Sequence, residues 1–574
     1  MEHYISTYER WCRKEDLEPE LKQELQEIAG DPEAIRERFY KNLEFGTAGM
    51  RGLMGAGTHR MNIYMVRRTT QGLANYILRQ GTARQGVVIA WDSRRHSKDF
   101  ALEAALVLAN NGIKAFIFKE ITATPLLSYA IRALNTTAGI VITASHNPKE
   151  YNGYKLYWSD GGQLTQRIAE EMTIDINRIV DALEVLRLPC HEAEAQGLLQ
   201  WLGDEILKNY LWDIKQTVLN PEVLKQYAAG CRIVYTPFHG TGLVPVREAL
   251  AQAGFTDVHV VEEQAAPDPE FPTVQYPNPE DPKAFAMAFE LAGRIGADLV
   301  LGTDPDADRL GAAVKDAEDV YCLLTGNQIG ALMIDYILQS RARIGRLPEH
   351  GVIVKTIVTS SLGAVIASSY GVGCIDVLTG FKYIGEKIKE FEDSQAHDFL
   401  FGYEESNGFL IHSFVRDKDS VQAALLMAEM AAACKSRGIC LLERLDELFR
   451  TYGYYKEGQI SFSFEGIEGQ EKIARIMSRF RDRDPGIFSG LDAVRVKDYW
   501  LETEDDLRTG VSKKTALPKA DVIHVTLADG SWIAIRPSGT EPKLKIYMSV
   551  KADSAGAASE KLEDLEAMIK KIIE

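Results

Sequence analysis

AGIVITASHNPKEYNGYKLYW, residues 138–158, opens with five consecutive apolar residues, Ala138 to Ile142, and then breaks at Thr143-Ala144-Ser145-His146-Asn147-Pro148. A strand that is apolar at every position, not only at every second one, is buried on both faces, as in a sheet covered by helices on both sides. The break sets a hydroxyl, an imidazole and an amide at the C-terminal end of that strand, where open α/β sheets take their ligands. This is not the elbow of an α/β-hydrolase, because Ala144 and His146 flank Ser145 and no glycine stands two residues to either side. Neighbours in sequence need not face one another, so spacing alone does not make Ser145 and His146 a nucleophile and its base. A turn and cap built from Ser, Asn and Pro is the competing reading of the same residues. Lys155, ten residues beyond Ser145, adds an ammonium suited to pairing a phosphate or moving a proton.

Outward from this segment, from Gly86 to about Leu445, short apolar β-branched runs alternate with amphipathic helical stretches: GVVIAWD (86–92), AFIFKE (115–120), RIVYTP (232–237), DVHVVEE (257–263), DLVLGTD (298–304), GVIVKTIVTS (351–360), CIDVLTG (374–380) and DFLFGYEE (398–405). The alternation predicts parallel-type α/β sheets. Helical connections are expected around 165–228 and 421–450, and a helical extension over the first 40 residues. Near residue 450 the pattern changes. QISFSF, AVRVKDYW, DVIHVTL, WIAIRP and LKIYMSV crowd together before a closing helix (554–574), which predicts an α+β module with an antiparallel sheet. PDPEFPTVQYPNPEDP (267–282) has six prolines in 16 residues and reads as an ordered loop inside one α/β unit.

The 574 residues exceed what one core spans; at about 150 residues per domain they predict roughly four. The expected boundaries are 1–200, 201–318, 319–450 and 451–574. With Lys+Arg 65 against Asp+Glu 82 the net charge is −17, which disfavours nucleic acid and anionic membrane as partners. An anionic small molecule then requires local islands of positive charge. The seven cysteines (12, 190, 231, 322, 374, 434, 440) are scattered and form no C-x-x-C pair, so reduced and mostly buried thiols are expected. The charged N-terminus lacks the apolar core of a secretory signal, and the most apolar run, Ala423 to Cys434, is broken by Glu429; both point to the cytoplasm.

DLVLGTDPDADRLG (298–311) ends a buried strand and sets Asp304, Asp306 and Asp308 at alternate positions, with Arg309 following. Three carboxylates in five residues repel one another unless a cation compensates, and a hard divalent metal is the natural one. An EF-hand is excluded, since its sixth and twelfth positions would be Arg309 and Lys315. FGTAGMRG (45–52) offers close backbone approach and the Arg51 fork. TGFKYI (379–384) presents Thr379, Gly380 and Lys382, and GYEESNG (402–408) presents Glu404 and Ser406, the donors and acceptors that carbohydrate hydroxyls need. RPSGTEPKLKIY (536–547) gathers Arg536, Ser538, Gly539, Thr540 and Lys545 into an anion nest.

TASHNP, GTDPDADR, GYEESNG and RPSGTEPK, in this order and at these spacings, resemble the phosphoglucomutase/phosphomannomutase (α-D-phosphohexomutase) family from about residue 40 to the end. The resemblance implies a four-domain, heart-shaped α/β enzyme with three related α/β domains and a C-terminal phosphate-binding α+β domain around one cleft. It implies that Ser145 is the phosphoserine, and that Asp304, Asp306, Asp308 and a Ser145 phosphate oxygen hold one Mg²⁺ per chain. It further implies that Glu404 and Ser406 contact sugar hydroxyls, and that Arg536, Ser538, Gly539 and Thr540 grip the non-reacting phosphate. Arg51, His146, Lys155 and Arg309 fall at positive or proton-transferring positions, with Lys155 and His146 both open as proton acceptor.

The implied activity is an isomerase: phosphoryl transfer between glucose 1-phosphate and glucose 6-phosphate through a glucose 1,6-bisphosphate that also primes the enzyme. Thr379-Gly380-Phe381 stands where the phosphomannomutase branch commonly has Thr-Gly-His. With FGTAGMRGLMGAGTHRMN it looks like the branch of bacterial α-phosphoglucomutases, phosphopentomutases and glucose-1,6-bisphosphate synthases. Pentose phosphates and bisphosphate synthesis are therefore alternatives, as is a silent sugar-phosphate-binding protein, which would have no need of both Ser145 and the three aspartates.

Overall fold

The computed structural model describes residues 2–47, 49–464, 466–488, 490–537 and 543–573. The chain forms two compact units, one of residues 1–326, 381–402 and 406–440, the other of residues 327–380, 403–405 and 441–574.

The first sheet of the first unit has six strands in the order Met50–Leu53, Tyr151–Trp158, Ala138–Ile142, Val87–Trp91, Ala115–Phe118, Leu199–Leu202. The last four are mutually parallel, and their residues Val87 to Ala90 and Ile140 to Ile142 are fully buried, as the unbroken apolar runs predict. Two features differ from expectation. Tyr151–Trp158 returns antiparallel to Ala138–Ile142, pairing Val141 with Lys155, because the eight residues 143–150 are too few for the dozen-residue crossover that a parallel return needs. Leu199–Leu202, inside the stretch expected to be helical, adds a parallel edge strand; with only Leu199 and Leu202 buried, four residues leave little pattern to read.

The first 40 residues are helical, as expected, over Glu2–Arg13, Pro19–Glu27 and Pro32–Phe39, and they are built into the first core. Trp11, Leu25 and Phe39 share one apolar cluster with the first sheet, and Trp11 packs edge-on to Tyr64 with ring centroids 5.4 Å apart. The glycine-rich approach to helix Ile63–Gln80 is pinned by Asn62. Its side chain accepts from the N–H groups of Tyr64 and Met65 (3.1 Å each) and donates to the carbonyls of Gly55 and Gly57 (2.9 Å each). Gly57 sits at φ +128°, and a Cβ there would meet the Arg38 carbonyl oxygen at 2.5 Å, so only glycine fits.

The second sheet, also in the first unit, runs Tyr321–Leu323, Leu310–Lys315, Leu299–Thr303, Ile233–Thr236, Val258–Val260. It repeats the device of the first: parallel strand Leu299–Thr303 ends in a short loop and returns antiparallel as Leu310–Lys315. The apolar run 423–434 lies in helix Ser420–Ser436, which is buried almost all round. Glu429 is tolerated there because its carboxylate accepts the N–H groups of Leu219 and Asn220. Among the described residues no helix is long and apolar enough to cross a membrane.

The third sheet has four strands, of which Gly351–Thr356 and Gly373–Val377 pair in parallel within the second unit. The C-terminal sheet is antiparallel, as expected, with seven strands in the order Tyr454–Ser463, Lys543–Ala552, Trp532–Pro537, Ile523–Leu527, Ala493–Asp498, Thr503–Asp506, Ser512–Lys514. The last two were absent from the sequence reading, being short polar strands with no buried residue, of which Ser512–Lys514 forms the sheet edge. Of the seven cysteines, none in a disulfide, only Cys231 and Cys434 are buried, fewer than expected; Cys12 is exposed.

Replacing Asn62 with alanine removes a helix cap and two loop bonds together. Urea unfolding of Asn62→Ala is predicted to show a loss of about 1–3 kcal/mol; an unchanged midpoint would contradict the role given to this side chain.

Candidate active site

Ser145 occupies the left-handed region, φ +53°, a conformation that a non-glycine residue holds only under constraint. Its N–H donates to Thr143 Oγ1 (2.8 Å). The main constraint is Arg94. Its buried guanidinium donates to the carbonyl oxygens of Ser145 (2.6 Å), Asn147, Pro148 (2.8 Å) and Tyr151 (3.1 Å). Asp92, 3.3 Å away, holds Arg94 from behind while accepting from Ser97 Oγ (2.7 Å), and the Phe271 ring of the proline-rich loop covers the guanidinium at 5.1 Å. Sequence reading passed over Asp92 and Arg94, although WDSRR follows a buried strand just as TASHNP does.

Spacing alone leaves the pairing of Ser145 and His146 open; in the structure they face each other, with Oγ 3.1 Å from Nδ1. Oγ also donates to Asp304 Oδ2 at 2.6 Å, which joins the loops of the first and second sheets. Burial, and after it the guanidiniums of Arg309 and Arg51, holds the His146 imidazole well below its ordinary pKa, so it stands neutral.

Asp304, Asp306 and Asp308 are buried with their nearest oxygens within 4.8 Å of one another. Asp304 Oδ1 accepts the N–H groups of Asp308 (3.0 Å) and Arg309 (2.9 Å). Asp306 Oδ2 accepts from Lys155 Nζ (2.6 Å) and Thr124 Oγ1 (2.9 Å). Asp308 Oδ2 accepts from Lys155 Nζ (3.1 Å) and pairs with Lys418 Nζ (3.2 Å). Burial and then the neighbouring carboxylates push Asp304 well up. Burial acts upward on Asp308 too, but Lys155, Lys418 and Arg309 outweigh it and hold that carboxyl well below the usual range. Among the described residues, Oδ1 of Asp306 and Oδ1 of Asp308 are buried with no hydrogen-bond partner. Orphaned carboxylate oxygens in an all-oxygen cluster fit a hard divalent cation, so the three residues form a group that can hold a metal ion.

Lys418 also escaped the sequence reading. No role was assigned from sequence to Arg416-Asp417-Lys418-Asp419, yet all four are buried. Asp417 accepts from Tyr157 Oη (2.6 Å) and Gln163 Nε2 (2.7 Å), and Asp419 from Tyr210 Oη (2.8 Å). The available signal was position, since four charges sit just before the long apolar run 423–434.

Arg51 donates to Asn147 Oδ1 (2.8 Å), and Arg309 donates to Glu280 Oε1 (2.8 Å) and to the Ser406 carbonyl (3.1 Å). The first unit thus gathers Ser145, His146, Lys155, Arg51, the three aspartates, Arg309 and Ser406; Lys382, also in this unit, stacks on Tyr383 at 4.7 Å. In the second unit the Gly380 N–H donates to Glu404 Oε1 (2.9 Å), Thr379 Oγ1 is buried without a partner among the described residues, and Arg536 lies opposite Lys545 on adjoining strands. Ser538, Gly539 and Thr540 lie outside the described residues.

Arg94→Lys keeps the charge and loses the planar fork. Amide exchange over residues 145–151 is predicted to accelerate at least tenfold in this variant; unchanged protection would show that Arg94 does not hold the loop.

Descriptions of the phosphoglucomutase/phosphomannomutase domains match the chain in order: alpha/beta/alpha domain I over residues 42–182, domain II over 208–317, domain III over 325–452 and the C-terminal domain over 493–567. A phosphoglucomutase of Staphylococcus epidermidis is 38% identical over 532 residues, which cover 93% of this chain and 95% of the relative. One of Staphylococcus aureus is 39% identical over 528 residues, covering 92% and 93%. The fold matches crystal structures of parafusin (phosphoglucomutase) from Paramecium in its open form (TM-score 0.69, 16% identity, 93% of this chain and 95% of that one). It also matches a phosphoglucomutase/phosphomannomutase family protein of Burkholderia thailandensis (TM-score 0.63, 16% identity, 92% and 97%). Four domain matches in sequence order, relatives aligned nearly end to end, and a serine bonded to a buried aspartate trio place this chain in the phosphoglucomutase/phosphomannomutase family.

Proposed function

We propose that the protein is a cytoplasmic phosphoglucomutase that interconverts α-D-glucose 1-phosphate and glucose 6-phosphate through phospho-Ser145 and a glucose 1,6-bisphosphate intermediate, which also primes it. The observation that carries this reading is Ser145 Oγ at 2.6 Å from Asp304 Oδ2, inside a carboxylate group with two orphaned oxygens. The names of the Staphylococcus relatives support the choice of sugar. In this reading the four domains keep the boundaries 1–200, 201–318, 319–450 and 451–574.

Asp304, Asp306, Asp308 and an oxygen on Ser145 would hold one Mg²⁺, which when bound supplies positive charge against the phosphoryl oxygens. The residues of the chain do the rest. In the forward transfer a sugar hydroxyl oxygen bonds to the phosphorus of phospho-Ser145, the Oγ–P bond breaks, and the hydroxyl proton passes to a base. His146 Nδ1, neutral and 3.1 Å from Oγ, is placed to hold a proton at the serine oxygen. Lys155, with its ammonium engaged by two carboxylates, serves as a fixed positive charge in preference to a base. Arg51 and Arg309 add positive charge beside the loop, while Arg94 holds the nucleophile's backbone. The bisphosphate then reorients, Oγ takes the other phosphate, and the product leaves.

Thr379, Gly380, Lys382, Glu404 and Ser406 are assigned to the sugar, and Arg536 with Ser538, Gly539 and Thr540 to the non-reacting phosphate. The unpartnered Thr379 Oγ1 and the Gly380–Glu404 bond support a site built for hydroxyls.

Ser145→Ala is predicted to abolish turnover while glucose 6-phosphate still binds; residual activity near wild type sinks the proposal. Of glucose 1-phosphate, mannose 1-phosphate and ribose 1-phosphate, each assayed with its bisphosphate primer, the first should show the highest kcat/KM. A ribose preference would move the assignment to a phosphopentomutase. Asp308→Asn is predicted to weaken Mg²⁺ binding at least tenfold in a calorimetric titration; equal affinity in the variant would remove the metal from this loop.

A further inference from the structure

In the C-terminal sheet Ile523, Val525, Ile533 and Ile535 face the helix-covered core, so His524, Thr526 and Trp532, which alternate with them, point to the opposite face. Lys497 lies directly across the ladder from His524, and Tyr499 follows it by two residues. With Lys355, Ser361 and Asp376 from the parallel pair of the same unit, these side chains line a cavity of 180 Å³.

The polar groups divide sharply. Trp532 Nε1 donates to Ser361 Oγ (3.2 Å). Lys355 is fully engaged, with Asp376 Oδ1 (3.0 Å) and the carbonyls of Thr356 (3.3 Å) and Thr359 (3.1 Å). Three polar groups have no partner among the described residues. They are the Lys497 ammonium, the hydroxyl of Tyr499, whose side chain is 98% buried, and His524 Nδ1, which is itself shut off from solvent. Glu504, facing Lys497 on the next strand, is already taken by Arg495 (3.6 Å) and Lys513 (3.5 Å). Lys355 balances Asp376, which leaves the charge of Lys497 uncompensated. Burial, and after it Lys497, pushes the His524 pKa down to about 3, so the imidazole is neutral and can carry its single N–H at Nδ1.

A cavity lined by two ammoniums, Lys355 and Lys497, against the single carboxylate of Asp376, with the Tyr499 hydroxyl and His524 Nδ1 unpartnered beside them, calls for an occupant rich in acceptors and negative in charge. We propose that it binds a small oxyanion of the phosphate class, either inorganic phosphate or the phosphate group of a small ester, held by Lys497, Tyr499 and His524. Arg536 does not line the cavity, so the site is separate from the phosphate grip proposed above and does not rest on that reading. The two are nonetheless coupled by the backbone. Trp532 and Arg536 share one face of one strand, and Asp376 precedes Thr379 by three residues. An occupant would therefore bear on both the phosphate-gripping and the sugar-facing segments of this unit, as a sensor of free phosphate does.

The test is calorimetric titration of the full-length Arg536→Ala protein with inorganic phosphate and, separately, with glycerol 1-phosphate. Saturable binding of one equivalent is expected. Lys497→Gln added to this background should weaken it at least tenfold, and the isosteric Tyr499→Phe severalfold, with melting temperatures in phosphate-free buffer unchanged for the latter. A preference for glycerol 1-phosphate identifies an ester as the occupant, and a preference for phosphate the free ion. Absence of saturable binding in Arg536→Ala, or equal affinities across the three proteins, overturns the site. Loss of glucose 6-phosphate binding in Arg536→Ala alone tests the substrate grip and leaves this outcome untouched.

Discussion

Burying three carboxylates within 4.8 Å of one another is the constraint from which the rest of the first unit follows. In a medium of reduced dielectric such a group repels itself by several kcal/mol, and desolvation adds to that cost. Lys155 and Lys418 approach it from separate elements, Thr124 donates to Asp306, and Ser145 donates to Asp304. Each of these side chains must be delivered to one point from a different part of the chain. The antiparallel return of Tyr151–Trp158 brings Lys155 back beside the strand that carries the serine. The buried Asp417 and Asp419 anchor the segment that brings Lys418. A cation at the two orphaned oxygens would complete the balance.

Both chemical loops use one architectural device. A parallel strand ends at the edge where ligands gather, and a short loop turns the chain back antiparallel; each loop contains a non-glycine residue at positive φ, Ser145 in one and Ala307 in the other. Such conformations persist only where the surroundings over-determine them. For Ser145 that role falls to Arg94, and for Ala307 to Ser420, whose hydroxyl donates to the Ala307 carbonyl. The proline-rich loop, expected only to be ordered, covers Arg94 with Phe271 and ties Glu270 to Arg95 and Lys149. The positive islands sought against a net charge of −17 are thus partly consumed in holding the loops together.

Much of this was legible in the sequence because it depends on local pattern. Unbroken apolar runs marked the doubly buried strands, and Asp304, Asp306 and Asp308 announced their own need for a cation. What escaped depends on tertiary context. Leu199–Leu202 is too short to show a period, and Lys418 looks solvated until helix Ser420–Ser436 is seen to bury it. Arg94 has no recognisable motif because its partners are backbone carbonyls. The facing of Ser145 and His146 was also beyond reach, since it follows from a left-handed φ that sequence does not display. Ser538, Gly539 and Thr540 fall outside the described residues, so that part of the reading rests on motif alone.

The central claim is that the buried serine carries the phosphoryl group, and intact-mass analysis of the full-length protein addresses it directly. After incubation with glucose 1,6-bisphosphate and Mg²⁺, followed by rapid desalting and peptide mapping, the account predicts a single phosphate on the peptide containing Ser145, lost on addition of excess glucose 6-phosphate. A protein that turns over glucose 1-phosphate while Ser145 remains unmodified, or that carries the phosphate on another residue, would contradict it.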